Sequence, residues 1–338
     1  GSSMLKYIIK RLGLSIIILI GVSMIIYFLV RLMPTDYIEN SFSAQLSQQL
    51  ITMDQINEFK ALYGLADNSF LGILKGYFVW LGNLFKGDLG TSFIYKKSVA
   101  SVIAENMWIS FFIAFIAMIF QFLIAIPLGI SSATHQYSIR DYTVTILAMI
   151  GISLPSYFFA ALLIKVFAAD LGWFPVSGLV DPSKVFGNSF GDQMRYYLDM
   201  AHHLVLPMIV LVVLSIGGLM RYTRTNMLDV LNADYIRTAR AKGLSEKRVI
   251  YVHAFRNTMI PLVTMLAGIL PSLFGGAMIT EEVFAINGIG RLAYKALQQG
   301  DIPFVMGYNM FLAILTVIGT LLSDLMYAVV DPRVKLGK

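Results

Sequence analysis

Six long apolar stretches follow one another along the chain, and polar segments of unequal length separate them. A helix needs about 20 mostly apolar residues to cross roughly 30 Å of hydrocarbon. The pattern therefore predicts an all-α integral membrane protein with about six transmembrane helices. The predicted spans are residues 12–32, 108–130, 142–169, 204–220, 259–280 and 304–330. The fourth is the shortest, and Pro207 near its start is expected to mark the beginning of that helix.

The first apolar stretch predicts an uncleaved span and not a secretory signal. Its apolar run exceeds the core of about 7 to 15 residues that is typical of signal peptides, and no A-x-A-like cleavage site follows it. The segment Gly-Ser-Ser at residues 1–3 precedes Met4 and is interpreted as a tag remnant. The N-terminal region and the first span together occupy residues 4–32.

The connection after the first span, residues 33–107, is too long for a simple turn. Thr52 is expected to cap a short helix that Gly64 ends. A second amphipathic helix is predicted within residues 71–87. Its apolar face is expected to contain Leu71, Leu74, Phe78, Leu81 and Phe85. This connection is either a helical cap on the outer face or a docking surface for a protein that delivers cargo.

Composition and charge agree with a membrane protein and orient it. Hydrophobic residues make up 57% of the chain and charged residues 14%, whereas soluble domains average about 25% charged. The N-terminus, the second and fourth connections and the C-terminus hold 15 of the 26 lysines and arginines and five acids. The opposite connections, counted with Arg31 at the end of the first span, hold ten basic residues and fourteen acids. The positive-inside tendency therefore places both termini in the cytoplasm, and the net charge of +6 needs no nucleic-acid partner.

Residue patterns argue against catalysis and against resident metals. The chain has no cysteine, no G-x-x-x-x-G-K-[ST] phosphate loop and no H-E-x-x-H or G-x-S-x-G motif. His202 and His203 are adjacent and would point about 100° apart on a helix, so they predict no shared metal. Solvation at the membrane interface accounts for Glu281 and Glu282 at the end of the fifth span.

Few charges lie inside the predicted spans. Lys165 and Asp324 each lie close to a span end, where a structural role is expected. Ion-coupled transporters usually carry more intramembrane charge, so this sparseness disfavours a secondary transporter or channel. Prolines predict kinks, and paired glycines permit close helix contact or a backbone exposed to a pathway. The candidate pathway or gating residues are Pro155, Gly217, Gly218, Pro271, Gly275 and Gly276.

The segment "ADYIRTARAKGLSEKRVIYVHAFRN", residues 233–257, is basic and strongly helix-forming although it joins two apolar spans. Asn232 is expected to cap a helix of about ten residues, and Gly243 to end it in a left-handed conformation. Ser245 then caps a second helix that leads into the fifth span. The segment is either an interfacial helix on anionic headgroups or a rigid element inserted into a cytoplasmic partner.

The stretches "YIRTARAKGL" and "HAFRNTMIP" in this segment resemble the EAA loop of bacterial ABC importer permeases, in the form used by the peptide and nickel branch. The family's Glu-Ala-Ala falls here on Arg237, Thr238 and Ala239, and the peptide branch likewise has arginine at the first position. Further stretches resemble the first of the two permeases in such systems, so the similarity covers nearly the whole chain. They are "MLKYIIKRL", "WLGNLFKGDLGTSF", "GISLPSYFF", "HLVLPMIVL" and "EEVFAINGIGRL".

The resemblance implies a permease core over residues 108–338 with a coupling loop at 221–258, in the bacterial cytoplasmic (inner) membrane. It also implies a second homologous permease, an extracytoplasmic binding protein and two separate ATPase subunits that bind ATP and Mg, because this chain has no nucleotide motif. The short helix would fit a groove on the ATPase. The expected coupling residues are Asp234, Tyr235, Arg237, Thr238, Ala239, Arg240, Lys242, Gly243 and Leu244.

The cargo is less well defined by the sequence. The family imports dipeptides, oligopeptides, glutathione and nickel. All four histidines lie at or beyond span ends, and cysteine is absent, so the spans offer no cluster suited to nickel. Peptides are therefore the expected cargo, and nickel or a metal chelate is the alternative.

Overall fold

A computed structural model describes residues 2–275 and 277–330, apart from the side chains of residues 259, 263, 264, 267 and 330, and most of these residues are helical. The described part contains no β-strand, although Thr91 and Ser98 form an isolated bridge. The α-helices in chain order are α1 Ser2–Arg31, α2 Tyr37–Ser41, α3 Ser43–Ser47, α4 Met53–Leu62, α5 Phe70–Phe85, α6 Val99–Thr134, α7 Ile139–Ser153, α8 Ser156–Leu163, α9 Phe190–Leu231, α10 Asp234–Ala241, α11 Glu246–Arg248, α12 Phe255–Gly268, α13 Leu270–Gly275, α14 Met278–Val283, α15 Ile289–Gln299 and α16 Ile302–Val330. Two π-helical segments, Ile164–Asp170 and Val249–Ala254, continue α8 and precede α12.

Four of these helices are continuous and apolar enough to cross a membrane: α1, α6, α9 and α16. A fifth candidate span is bent by 97° where α7 meets α8. Pro155 directly precedes α8 and has extended backbone dihedrals. Leu154 is extended as well, as expected for the residue before a proline. The all-α membrane fold is thus confirmed, with four or five candidate spans in the described residues.

The predicted span at residues 259–280 is not one continuous helix. It is divided among α12, α13 and α14, with breaks at Ile269 and after Gly275. The Tyr308 hydroxyl of α16 donates a hydrogen bond to the Gly275 carbonyl at the second break. A partner from another helix therefore satisfies a carbonyl at the end of α13, which hydropathy along the sequence could not indicate.

The expectation that Pro207 begins the fourth span is wrong. Pro207 lies well inside α9, a helix of 42 residues that is about 63 Å long. Polar helical turns extend the apolar stretch at both ends. Hydropathy detects only the part of the helix that matches the membrane, so the apolar boundary is not the helix boundary.

The intramembrane acid Asp324 joins the first and last helices. Its carboxylate accepts a hydrogen bond of 2.7 Å from the Tyr7 hydroxyl and lies 3.8 Å from the Arg11 guanidinium. Lys165, near the end of the third predicted span, is exposed and pairs with Asp170 at 3.1 Å. Both charges thus have partners close to helix ends.

Local signals in the outer connection are confirmed, but its buried face differs from the prediction. Thr52 and Gln55 form a reciprocal capping box at the start of α4, and Gly64 after its end has a φ of +73°. On α5, however, Ile73 and Tyr77 are buried. Among the predicted face, Leu71, Phe78 and Phe85 are exposed. The helix is apolar on several sides, so periodicity alone did not select the side that packs.

Asp301, at the start of α16, holds the end of the outer connection in place. Its carboxylate is fully buried and accepts hydrogen bonds from the Ser92 hydroxyl and from the backbone N–H groups of Phe93 and Ile94, both at 3.1 Å. The neighbouring Tyr95 hydroxyl donates to the Leu292 carbonyl at 2.6 Å, and burial raises the pKa of this hydroxyl, which keeps it protonated. The residues of the "GDLGTSF" stretch and those just after it are therefore folded around an acid more than 200 positions away.

We expect Asp301→Ala to lower the thermal unfolding temperature of the purified protein by several degrees. The substitution leaves buried donors without an acceptor, at about 1 to 3 kcal/mol for each group. Glu105→Ala is the matched control, because Glu105 is exposed and makes only a 3.5 Å ion pair with Lys97. Equal unfolding temperatures for the two variants would contradict the anchoring role of Asp301.

Candidate transport pathway and coupling site

A groove of about 540 Å³ runs along one side of the helix bundle, between α6, α9 and the broken segment α12 to α14. Apolar side chains form most of its wall. Its polar side chains come from several helices and are Ser110, Gln121, Ser215, Tyr222, Ser272, Thr280 and Glu281. The groove is thus mostly apolar, with hydrogen-bonding groups scattered along it.

Glu281 lies at one end of this groove and is only 2% exposed, so the expectation that interface solvation accounts for it is wrong. Its carboxylate accepts hydrogen bonds from the Ser110 hydroxyl at 2.5 Å and from the Arg291 N–H at 3.0 Å. The Ser110 oxygen in turn accepts the Ile289 N–H at 2.9 Å. These bonds join α6, α14 and the start of α15.

Gly288 is required for this arrangement. A Cβ atom at this position would lie 1.9 Å from a Glu281 carboxylate oxygen. Both residues belong to the "EEVFAINGIGRL" stretch, so this stretch packs Glu281 against its own Gly288. The motif was the sequence signal that marked this region. The burial of Glu281 was missed because Ser110 is 171 residues away.

The glycine and proline candidates take different positions. Gly218 lines the groove, and a Cβ atom added to it would have no other atom within 4 Å. Gly217 instead packs α9 against α7, where a Cβ would lie 2.5 Å from the Ala148 carbonyl oxygen. Pro155 is at the 97° bend between α7 and α8. Only Gly218 of these three faces the groove.

The remaining candidates cluster at the breaks of the predicted fifth span. Pro271 is the second residue of α13 and is partly buried, while the neighbouring Ser272 and Leu273 line the groove. Gly275 is buried, and a Cβ there would lie 2.8 Å from Leu312. Gly276 lies outside the described residues.

The basic segment forms α10, then a sharp turn, then α11. Gly243 has a φ of +75°, which supports the predicted left-handed stop, and Ser245 accepts the Arg248 N–H as the predicted cap. The expected cap at the start is wrong: Asn232 ends α9, and Ala233 precedes α10 without a side-chain hydrogen bond. The helix has eight residues, not ten.

The expected coupling residues divide between two faces of this turn structure. Ile236 and the expected coupling residue Ala239 are buried, and Leu244 is partly buried beside them. The other expected residues are exposed: Asp234, Tyr235, Arg237, Thr238, Arg240, Lys242 and Gly243. Arg240 pairs with Glu246 at 3.0 Å and so bridges the turn at Gly243.

The buried face of α10 enters one apolar cluster, which we call the coupling socket. Its other members come from the inner ends of α6 and α9 and from the start of the helix that leads to α12. The buried residues of the socket are Ile130, Ala133, Met227, Ile236, Ala239, Val249 and Ala254. The short helix is therefore packed onto the ends of two spanning helices and does not hang in a loop.

An ion pair lies directly beside the coupling socket. The Arg224 guanidinium of α9 donates to both carboxylate oxygens of Asp141 in α7, at 2.8 and 2.9 Å. The Ser132 hydroxyl of α6 donates to the same carboxylate, which is buried. Three helices thus meet at one acid, which we call the inner node.

Within the described residues no group of three or more histidines, aspartates and glutamates is arranged to hold a metal ion. The described residues of the groove, the coupling socket and the inner node pack the spanning helices against one another and join them by hydrogen bonds.

Comparisons with known proteins identify this architecture. The family model for the binding-protein-dependent transport system inner membrane component matches residues 125–336. The chain is 38% identical over 333 residues to the oligopeptide transport system permease protein AppB of Bacillus subtilis (strain 168), covering 98% of this chain and 100% of that protein. It is 33% identical to the di/tripeptide transport system permease protein DppB of Pseudomonas aeruginosa (strain UCBPP-PA14), covering 98% and 99%.

A solved structure of the MetNI methionine ABC transporter in an inward-facing conformation shares the fold. The TM-score is 0.52 at 18% identity, over 69% of this chain and 97% of that chain. The chain therefore belongs to the family of binding-protein-dependent transport system inner membrane components, the non-catalytic, multi-pass membrane permeases of ABC transporters.

Proposed function

We propose that this chain is a permease of an ATP-driven importer of oligopeptides or dipeptides. The observation that carries the proposal is α10: a short helix with an exposed basic edge and a buried face packed onto the spanning helices. Such an element transmits force from a cytoplasmic partner to the groove. The peptide names of the most similar relatives support peptides as cargo.

The proposed partners follow from the nucleotide-binding motif that the sequence lacks and from the surfaces that the chain exposes. ATP and Mg bind to two separate ATPase subunits, since this sequence has no phosphate-binding loop. The groove is open along one side, and a second homologous permease closes it to form the translocation pathway. An extracytoplasmic binding protein delivers cargo to the outer layer of α2 to α5, and both termini lie in the cytoplasm of a bacterial cell.

Movement passes from α10 to the groove along two packed routes. The coupling socket links α10 to α6 and α9, which both line the groove. The inner node links the same two helices to α7, whose far end bends into α8. Closure of the ATPases then rocks the helices that border the pathway.

We expect Gly243→Val to reduce peptide uptake by the assembled transporter at least tenfold and to weaken its association with the ATPase. A β-branched residue is strained at a φ of +75°, so the turn after α10 must change. Gly172→Val is the matched control, because Gly172 lies outside the layer of α2 to α5 and has a φ of +67° and equally open space. Normal uptake by an intact Gly243→Val complex would contradict the coupling role of α10.

The isolated chain is expected neither to bind nor to hydrolyse ATP, and it should give no peptide flux in liposomes. Flux should require the second permease, the ATPases and ATP. A nucleotide-binding assay and uptake of a labelled peptide test this directly. ATP-independent flux through the chain alone would identify a channel or secondary transporter instead.

We expect Asp141→Asn to lower the peptide transported per ATP hydrolysed about tenfold, because the inner node loses its charged acceptor and α7 no longer follows α9. Arg224→Lys keeps the charge without the paired donors and should be intermediate. Glu105→Gln, in the exposed outer pair with Lys97, is the control and should leave the ratio unchanged. If uptake and hydrolysis fall in equal proportion, the inner node only stabilises the fold.

A further inference from the structure

A second groove, of about 630 Å³, lies between α6 and α9 on another side of their contact, and we call it the back groove. On α6 its wall consists of Phe112, Ile116, Phe120 and Ile124, whereas other positions of the same helix line the first groove. On α9 its wall falls within residues 197–213. Among the described residues of this wall, the Tyr197 hydroxyl is the only strongly polar group. The back groove is therefore far more apolar than the first.

The back groove lies at the depth of the hydrocarbon core. Both of its helices are long and apolar enough to span a membrane, and its α6 wall falls inside the predicted span 108–130. Phe112 and Phe120 are 49% and 48% exposed there. Tyr197, at one end, is seven residues before the predicted start of the fourth span, and tyrosine is enriched at the level of the headgroups. Hydrocarbon is therefore the solvent of this groove, and one end reaches the polar interface.

The helix α7 fills the continuation of the same seam towards the inner node. Ala148 of α7 packs in one cluster with Ala125 of α6 and Met220 of α9. A Cβ atom at Gly151 would lie 2.8 Å from the carbonyl oxygen of Val213, and Val213 is also the last α9 residue in the wall of the back groove. Two residues after Gly151 α7 ends, and the chain bends by 97° into α8. The back groove is thus the part of the seam that α7 leaves uncovered.

The length of the back groove favours a lipid chain over a helix from another protein. Its α6 wall extends over 12 residues, from Phe112 to Ile124, or about 18 Å. One leaflet supplies about half of a hydrocarbon core of roughly 30 Å. A spanning helix would need an open strip along the whole core, but α7 closes the seam at Val213. One extended acyl chain from a single leaflet has the matching length and chemistry.

We propose that the back groove is a binding site for one acyl chain of a membrane phospholipid, with its headgroup end next to Tyr197. The chain lies on Leu204 and Val212, which are buried at the floor of the groove. It completes the packing of α6 and α9 behind the first groove, as α7 does nearer the inner node. The inference goes beyond the proposed function and does not depend on the cargo or on the ATPase.

Retention of a photoreactive phospholipid tests this site. The full-length protein, with the subunits that co-purify, is reconstituted in vesicles that contain phosphatidylglycerol with a diazirine in one acyl chain. It is then extracted into mild detergent, washed free of loosely bound lipid and irradiated. We expect mass spectrometry to find labels within residues 112–124 and 200–213 at least fivefold above those at Ile17 and Ile18. These two residues are the matched control, because they are 69% and 63% exposed on the candidate span α1.

We expect Ala201→Trp to lower the labelling of residues 112–124 at least fivefold, because a large ring on the α9 wall occupies the space of the chain. Ile17→Trp adds a ring on α1 instead and should leave that labelling unchanged. Undiminished labelling in Ala201→Trp would place the lipid elsewhere and overturn the proposal.

The unmodified protein also decides the question if Ala201→Trp does not fold. Equal labelling of α1 and of the back groove would show ordinary lipid contact without a site, and it would overturn the proposal. So would the absence of lipid label together with a crosslink to another protein chain from p-benzoylphenylalanine at position 120. Preferential labelling of the back groove would support the site whether or not the chain imports peptides.

Discussion

A carboxylate withdrawn from water must be supplied with hydrogen-bond donors, and this constraint fixes the ends of the helices in this protein. Asp301 gathers the outer connection onto α16, Glu281 joins α6 to α14 and α15 at the groove, and Asp141 joins α6, α7 and α9 on the inner side. Apolar packing between the spans is not directional. These acids therefore supply the register that holds a groove of defined shape.

The three acids also divide the molecule into parts with different tasks. Asp301 attaches the outer layer and is far from the inner surface along α16. Asp141 lies beside the coupling socket, where α6 and α9 meet α7. Glu281 closes the far end of the groove, where α14 and α15 return to α6. Each acid thus joins helices that are distant along the chain, and α10 packs onto the ends of two of them.

Most features set by neighbouring residues were predictable from the sequence, although the expected cap at Asn232 was wrong, and features set by distant contacts were not. The caps at Thr52 and Ser245 and the left-handed Gly243 depend on three or four residues, and the structure has them as expected. The burial of Glu281 depends on Ser110, 171 positions away, and the break of the predicted fifth span involves Tyr308. Hydropathy located most of the spans because helices that face the hydrocarbon core must be apolar. It gave no information on which side of α5 packs against the rest of the chain.

The departure from Glu-Ala-Ala in the coupling segment has a physical explanation in the same geometry. The first two positions, Arg237 and Thr238, are exposed, whereas the third, Ala239, is buried in the coupling socket. A side chain larger than alanine at the third position would push α10 away from α6 and α9, since a packed interior does not admit added volume without strain. The first position is exposed, so the residue there can change without altering the packing of α10. An arginine at position 237 is thus compatible with this geometry, and the small residue at Ala239 keeps α10 close to α6 and α9.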